Sequence, residues 1–398
     1  MIHLPSFQIQ EKMINENSGL FFEEISNMTV PFIVKLPSSV IKAIYKSCGV
    51  KLFLGLESME NGMFNTLTVC IAIADDEEQP YLTFHTVNDI KELNAIIKAF
   101  RQTNNKLHLF DELNRNVLSG EFDLLERKGL LDEEFFSLIE TNISKDFKIE
   151  VENRFIDYIE EYYKGNTQLP INLVEIKTNF ISSEPPKIID MEAGEVSLEQ
   201  YDEGGGLEQS IYSLLAYYYS GSSFHSPKFY KKEAEKELTD ILAFQENHMV
   251  IIEAKVSQIL YREKELTTQR LLKNIQKNMD KAIRQLKGTL KTIGTKQDIY
   301  SAENNLIHIP IDSVKQQHCI VLISDMHPGL KWDGIYGEII KFMNESKGIL
   351  HILDLTELFR LLFLSKTPEN FRENLCIRWE IIYESKNPFL RVNYREEV

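Results

Sequence analysis

Apolar and polar positions follow two rhythms along this chain, and the change between them marks its organisation. In the first third, short apolar runs bounded by turn residues read as strands: Phe32–Leu36, Val50–Leu56, Leu67–Ile73, Tyr81–His85 and Leu107–Phe110. Pro37-Ser38-Ser39 introduces a helix over Val40–Lys46. Ile90, Leu93, Ile96, Ile97 and Phe100 recur at helical spacing, giving a second helix that begins at Val87 or Asp89. The sum is an α+β module over residues 1–145. Residues 118–165 are expected to be mostly helical. Phe135, Phe136, Ile139 and Ile143, then Phe155, Ile156, Ile159 and Tyr162, supply two apolar faces there. These faces would bridge modules or pack in a homodimer.

Residues 180–206 hold Pro185-Pro186 and Gly204-Gly205-Gly206 without a periodic pattern, so a domain boundary is expected in them. That divides the chain into 1–145, a helical connector and linker at 146–199, and a second domain at 200–398. In the second domain strands and helices alternate. A helix opens at Gly206–Leu215, strands follow at Ile241–Phe244 and Val250–Ile252, and a long helix runs from about Gln269 to Ile293. Apolar runs at Leu306–Ile311 and Cys319–Ser324 are expected to extend the sheet. A helix at Tyr336–Asn344, a strand at Ile349–Leu353 and a helix at Thr356–Leu364, capped by Asp354 or Thr356, complete an α/β/α arrangement. The tail from Phe371, which carries Trp379, is expected to be folded.

The strand pair at 241–252 carries the chemistry. Gln245-Glu246-Asn247-His248 reads as the turn of a hairpin, with Asp240 at the start of one strand and Glu253 and Lys255 at the end of its neighbour. Antiparallel pairing sets those two ends side by side. Glu253 and Lys255 are two residues apart and share a strand face. A carboxylate pair with a lysine beside it suits Mg²⁺, a hard cation that takes oxygen ligands and phosphate. Such an ion lowers the pKa of water, and a nearby lysine stabilises charge developing on phosphate. The plain alternative is a charged surface hairpin, because E-x-K triplets are common in a chain that is 26% charged.

This stretch, TDILAFQENHMVIIEAK, resembles the core motif of the PD-(D/E)XK, or restriction-endonuclease-like, nuclease superfamily. The resemblance spans roughly residues 200–360, with Thr239 standing where the family's proline would be. It implies an α/β/α nuclease core and a phosphodiester hydrolase dependent on Mg²⁺, or on Mn²⁺ in its place. It also implies that Asp240 and Glu253 are metal ligands, with the Ala254 backbone carbonyl nearby, and that Lys255 is the catalytic lysine. Glu208, on the helix before the motif, matches a further acidic contributor. Gln285, on the helix after it, matches a glutamine that approaches the active site. DNA is the substrate so implied, within a host-defence or restriction setting. A noncatalytic nucleic-acid-binding or assembly protein that keeps the nuclease fold is the alternative.

The long helix adds a pattern of its own. Lys273, Lys277, Lys281, Arg284, Lys287 and Lys291 fall on one broad face, while Leu272, Ile275, Met279, Ile283, Leu286 and Leu290 fall on the other. Lys273, Lys277, Lys281 and Arg284 are therefore candidate contacts to a phosphate backbone, against the plain reading of a solubilising face.

Composition narrows the rest. The chain has 398 residues, 43% hydrophobic and 10% aromatic, with a net charge of −16. That acidity excludes a general nucleic-acid coat protein but not an enzyme with a locally basic groove. Cys48, Cys70, Cys319 and Cys376 form no C-x-x-C pair, so structural zinc is not expected and a reducing, cytoplasmic setting is. MIHLPSFQIQEKM lacks a signal peptide's features, and the apolar tract near Leu355–Leu364 is too short to span a membrane. The acidic run Asp75–Glu78 reads as a solvated hairpin tip, and Asp325 with His327 as a polar turn after a buried strand. The N-terminal module is a candidate for binding a protein partner or regulator.

Overall fold

In the computed structural model of the chain, the described residues are 3–25, 29–46, 48–58, 65–74, 80–125, 139, 141, 143–165, 173–190, 194–197, 203–245, 247–255, 268–323, 326 and 330–391. Asp75–Glu78, Phe135, Phe136, Asp325 and His327 lie outside them. The fold is mixed α/β. It divides into two compact units: Met1–Ile189 with Ala193–Gln200, and Tyr201–Val398 with Asp190–Glu192.

The first unit holds α1 (Phe7–Asn15), β1 (Gly19–Phe22), β2 (Phe32–Lys35), α2 (Ser38–Lys46), β3 (Gly49–Ser58), β4 (Asn65–Ala74) and β5 (Tyr81–Thr86). It continues with α3 (Ile90–Arg101), β6 (Lys106–Phe110), β7 (Asn116–Leu124), α4 (Lys145–Tyr163), β8 (Leu173–Ile176) and β9 (Thr178–Ile181). One sheet runs β1-β2-β6-β7-β9 and another β5-β4-β3-β8; β10 (Lys187–Asp190) and β11 (Gly194–Ser197) form a two-stranded ribbon. Asp89 caps α3 by accepting from the Lys91 and Glu92 amides.

Two expectations are corrected here. Residues 116–124 form a strand rather than part of a helix. Val117, Leu118, Phe122 and Leu124 are buried, and the strand pairs with β6 and β9. The 146–199 segment is also more than a connector. Phe155 and Ile159 of α4 pack with Phe53, Cys70 and Leu173 in one core cluster, while β8 and β9 complete the two sheets. Strands of only four residues carry too little alternation to be read from the sequence.

The second unit opens with α5 (Glu203–Tyr218), β12 (Ser223–His225), β13 (Lys228–Lys231), β14 (Ala234–Glu237), β15 (Ile241–Phe244) and β16 (His248–Lys255). After them come α6 (Thr268–Gly294), β17 (Ile299–Tyr300), β18 (Leu306–Ile307), β19 (Gln316–Ile323), α7 (Trp332–Ser346), β20 (Ile349–Asp354), α8 (Leu355–Ser365) and α9 (Pro368–Ser385). The main sheet runs β12-β15-β16-β19-β20. The first three strands are antiparallel; β16, β19 and β20 are parallel. Its central strands are buried on both faces, which is why Val250-Ile251-Ile252 and Ile320-Val321-Leu322 are continuous apolar runs without alternation. Met249 and Ile251 pack with Ile275, Met279, Ala282, Ile283 and Leu286 of α6. On the opposite face, the Tyr219 hydroxyl bonds His248 Nε2 at 2.9 Å.

The run at Leu306–Ile311 does not extend the main sheet. Only Leu306–Ile307 is strand, and it pairs with β17 in a small sheet that also holds β13 and β14. Asp354, not Thr356, caps α8 by accepting from the Glu357 amide. The tail past α9 is held by fully buried Arg378, which donates to the carbonyls of Ile352, Pro388 and Leu390. A buried cation is tolerated there because Glu357 is its ionic neighbour.

Candidate active site

The β15–β16 register sets the geometry. Ile241 pairs with Ile252, so Asp240, one residue before β15, sits level with the end of β16. The Asp240 carboxylate accepts from the Ala254 amide at 2.6 Å, which fixes its orientation against β16. Lys255 Nζ lies 3.3 Å from Asp240 Oδ2 and 3.1 Å from Glu253 Oε2. One ammonium touching both acids brings them to a common point. Thr239, where the resembling family has proline, donates its hydroxyl to the Ile252 carbonyl at 3.0 Å and tightens the same corner.

Burial sharpens the electrostatics. Glu253 is 1% exposed and Asp240 6%. Desolvation, then the Asp240 charge, pushes the Glu253 carboxyl up to about 7. Asp240 is raised as well, by burial against the opposing pull of Lys255, with the Glu208 charge adding to the rise. Burial would depress Lys255, but its two acidic neighbours outweigh it and hold the ammonium above its usual range. Two carboxylates that resist ionising, balanced by a single ammonium, form a site that a further cation would stabilise.

Glu208 stands apart from that pair, and the pleat gives the reason. Cross-strand partners share a face, so His225, paired with Ile241, lies on the face of Ile252, opposite Glu253. Glu208 of α5 meets His225 there, at 3.6 Å from Nε2. Among the described residues no three His, Cys, Asp or Glu side chains converge as a metal-holding group. Glu208 pairs with His225, and its charge reaches Asp240. His225 is raised by Glu208 first, with burial opposing and Glu237 and Asp240 adding. No spacing in the sequence marks His225. It comes within electrostatic reach of Asp240 because β12 pairs with β15.

No protein-family model matches the sequence, and no curated protein does. Among solved structures the chain is similar to the small subunit of the heterodimeric restriction endonuclease R.BspD6I. That alignment has 14% identity, covers 46% of this chain and 89% of that one, and has a TM-score of 0.28.

The remaining candidates lie on α6. Gln285 is exposed, and its backbone carbonyl accepts from the Thr289 hydroxyl at 3.2 Å. Lys273, Lys277, Lys281 and Arg284 are exposed along the same helix. Thr289, buried on the α6 underside, donates to the Leu238 carbonyl at 2.6 Å, two residues before Asp240. That bond ties the helix to the segment leading into the acid pair. Among the described residues, no helix is long and apolar enough to cross a membrane.

Proposed function

We propose that the second unit is a metal-dependent phosphodiesterase, a nuclease acting on DNA, with Asp240, Glu253 and Lys255 as its reactive set. The observation that carries this reading is Lys255 Nζ in contact with both buried carboxylates at the end of the β15–β16 pair. The donor set fits a hard divalent ion, because Asp240 and Glu253 offer carboxylate oxygens. In an extended strand a residue's N–H and C=O leave the same edge. The Ala254 amide already faces Asp240, so its carbonyl is a further oxygen on that side. Mg²⁺ is the expected ion, with Mn²⁺ as its substitute.

When bound, the ion supplies Lewis acidity toward phosphate and a lowered pKa for water. The protein's own groups do the rest. Asp240 and Glu253 fix the charge balance of the site, and the Ala254 amide keeps Asp240 in place. Lys255 stays protonated, so its role is to stabilise charge on the scissile phosphate rather than to take a proton. Glu208, held by His225, tunes Asp240 from the opposite sheet face.

The test is cleavage of linear and circular DNA by the purified chain with Mg²⁺, Mn²⁺ or chelator. Asp240→Ala and Glu253→Ala should each abolish cleavage while circular dichroism stays unchanged. Activity that survives in chelator, or in both variants, would sink the proposal.

A further inference from the structure

We infer that the exposed face of α6 docks the sugar–phosphate backbone of double-stranded DNA, with Gly288 as the point where the duplex comes closest to the helix. This deepens the nuclease reading and rests on it for the choice of polyanion.

Placement comes first. The apolar side of α6 packs on Met249 and Ile251, the sheet face that Glu253 and Lys255 share. The Thr289 bond to Leu238 links the same helix to the approach to Asp240. The opposite side of α6 is open to solvent.

Charge comes second. Lys273, Lys277, Lys281, Arg284 and Lys291 are all exposed on that side, and among the described residues none has an anionic partner. Lys287 leaves the row: its ammonium pairs with Glu345 at 2.5 Å and lies over the Phe342 ring. Asp280, the acid of this helix, is hydrogen-bonded by Gln276. A cationic row on a chain of net charge −16 is a local reversal of sign, complementary to a polyanion. From Lys273 to Lys291 the row is about 27 Å long at 1.5 Å per residue. That length matches roughly eight base pairs of duplex.

Gly288 comes third. It lies between Arg284 and Lys291 in mid-helix, and a Cβ built on it meets nothing within 4 Å. Glycine in a helix interior costs roughly 1 kcal/mol relative to alanine. Among the described residues no packing contact requires it, and the missing Cβ leaves room for an outside backbone to approach closely.

The test is fluorescence anisotropy with a 30-base-pair duplex of arbitrary sequence, in chelator, across a sodium chloride series, using the full chain. Changing Lys273, Lys277, Lys281, Arg284 and Lys291 together to Gln should flatten the log–log salt slope by about 4.5, about 0.9 per lost phosphate contact. Affinity at low salt should fall by at least about a hundredfold. Lys287→Gln should leave both unchanged. Gly288→Ala should raise the thermal midpoint and weaken duplex binding, a combination that a merely solvated helix would not give. Wild-type affinity and slope in the five-fold variant would overturn the inference, as would preference for an RNA duplex of equal length. The two proposals fail separately. Helix-dependent binding without metal-dependent cleavage removes only the nuclease reading. Cleavage with helix-independent binding removes only the docking face.

Discussion

Lys255 both holds and competes. Its ammonium neutralises part of the Asp240–Glu253 pair, yet it also occupies the space between two oxygens that a cation would share. Lys255→Ala should therefore reduce cleavage by about 10²- to 10³-fold through lost charge stabilisation. Divalent-ion affinity, followed by calorimetry, should hold or rise in that variant. Full activity would remove the lysine from the reaction, and loss of ion binding would make it part of the metal site. Thr289 gives a second test. Thr289→Val leaves the buried Leu238 carbonyl without its donor and should cost about 1–3 kcal/mol in urea unfolding, while Thr289→Ser should recover most of it.

At the scale of elements, close approach decides which helix can lie on which strand. A Cβ on Gly55 of β3 would come within 2.1 Å of the Phe155 ring of α4. Glycine there is what lets α4 seat Phe155 in the first unit's core. Gly55→Ala should destabilise that unit by about 1–3 kcal/mol through overpacking. Phe155→Leu in the same chain should relieve part of the loss, a coupling that a double-mutant cycle in urea would measure. Additive effects of the two changes would mean that the contact is not the cause.

At the scale of the whole molecule, a row of histidines sets an acid limit. His248, His318 and His351 are fully buried on three adjacent strands of the second unit, and His318 Nδ1 lies 3.1 Å from His351 Nε2. Burial, with Arg372 nearby, lowers His248 to about 4, and burial with His248 and Arg372 lowers His318 to about 3. Burial, His318 and Arg378 hold His351 well below its ordinary value. All three are neutral when folded and gain protons more readily when unfolded. The stability they support is present above the unfolded histidine pKa, near 6.5, and is lost as pH falls toward 4 and then 3. His248 alone should cost about 2 kcal/mol at pH 5. The urea midpoint of the second unit should thus drop between pH 7 and pH 5. His248→Gln should flatten part of that fall, and a midpoint that does not move would contradict the neutral row.

Most of the second unit's elements, and the juxtaposition of Asp240, Glu253 and Lys255, follow from local sequence pattern. Strand period, turn residues and pairing direction are local, and they were enough to set Asp240 beside Glu253 and Lys255. The apolar runs of the sheet and the long amphipathic α6 were legible for the same reason, and the cap of α8 was narrowed to Asp354 or Thr356: each depends on neighbours close in sequence. Features that depend on pairings distant in sequence emerged with the fold. β12 docks on β15 and brings in His225, the pleat then places Glu208 on the face away from Glu253, and four-residue strands draw residues 173–181 into the first unit's sheets. Helical phase defined the cationic row of α6, but the direction in which it faces followed from Met249 and Ile251 packing beneath it. Lys287 shows the same limit, since its pairing with Glu345 is made by a helix that lies far along the chain.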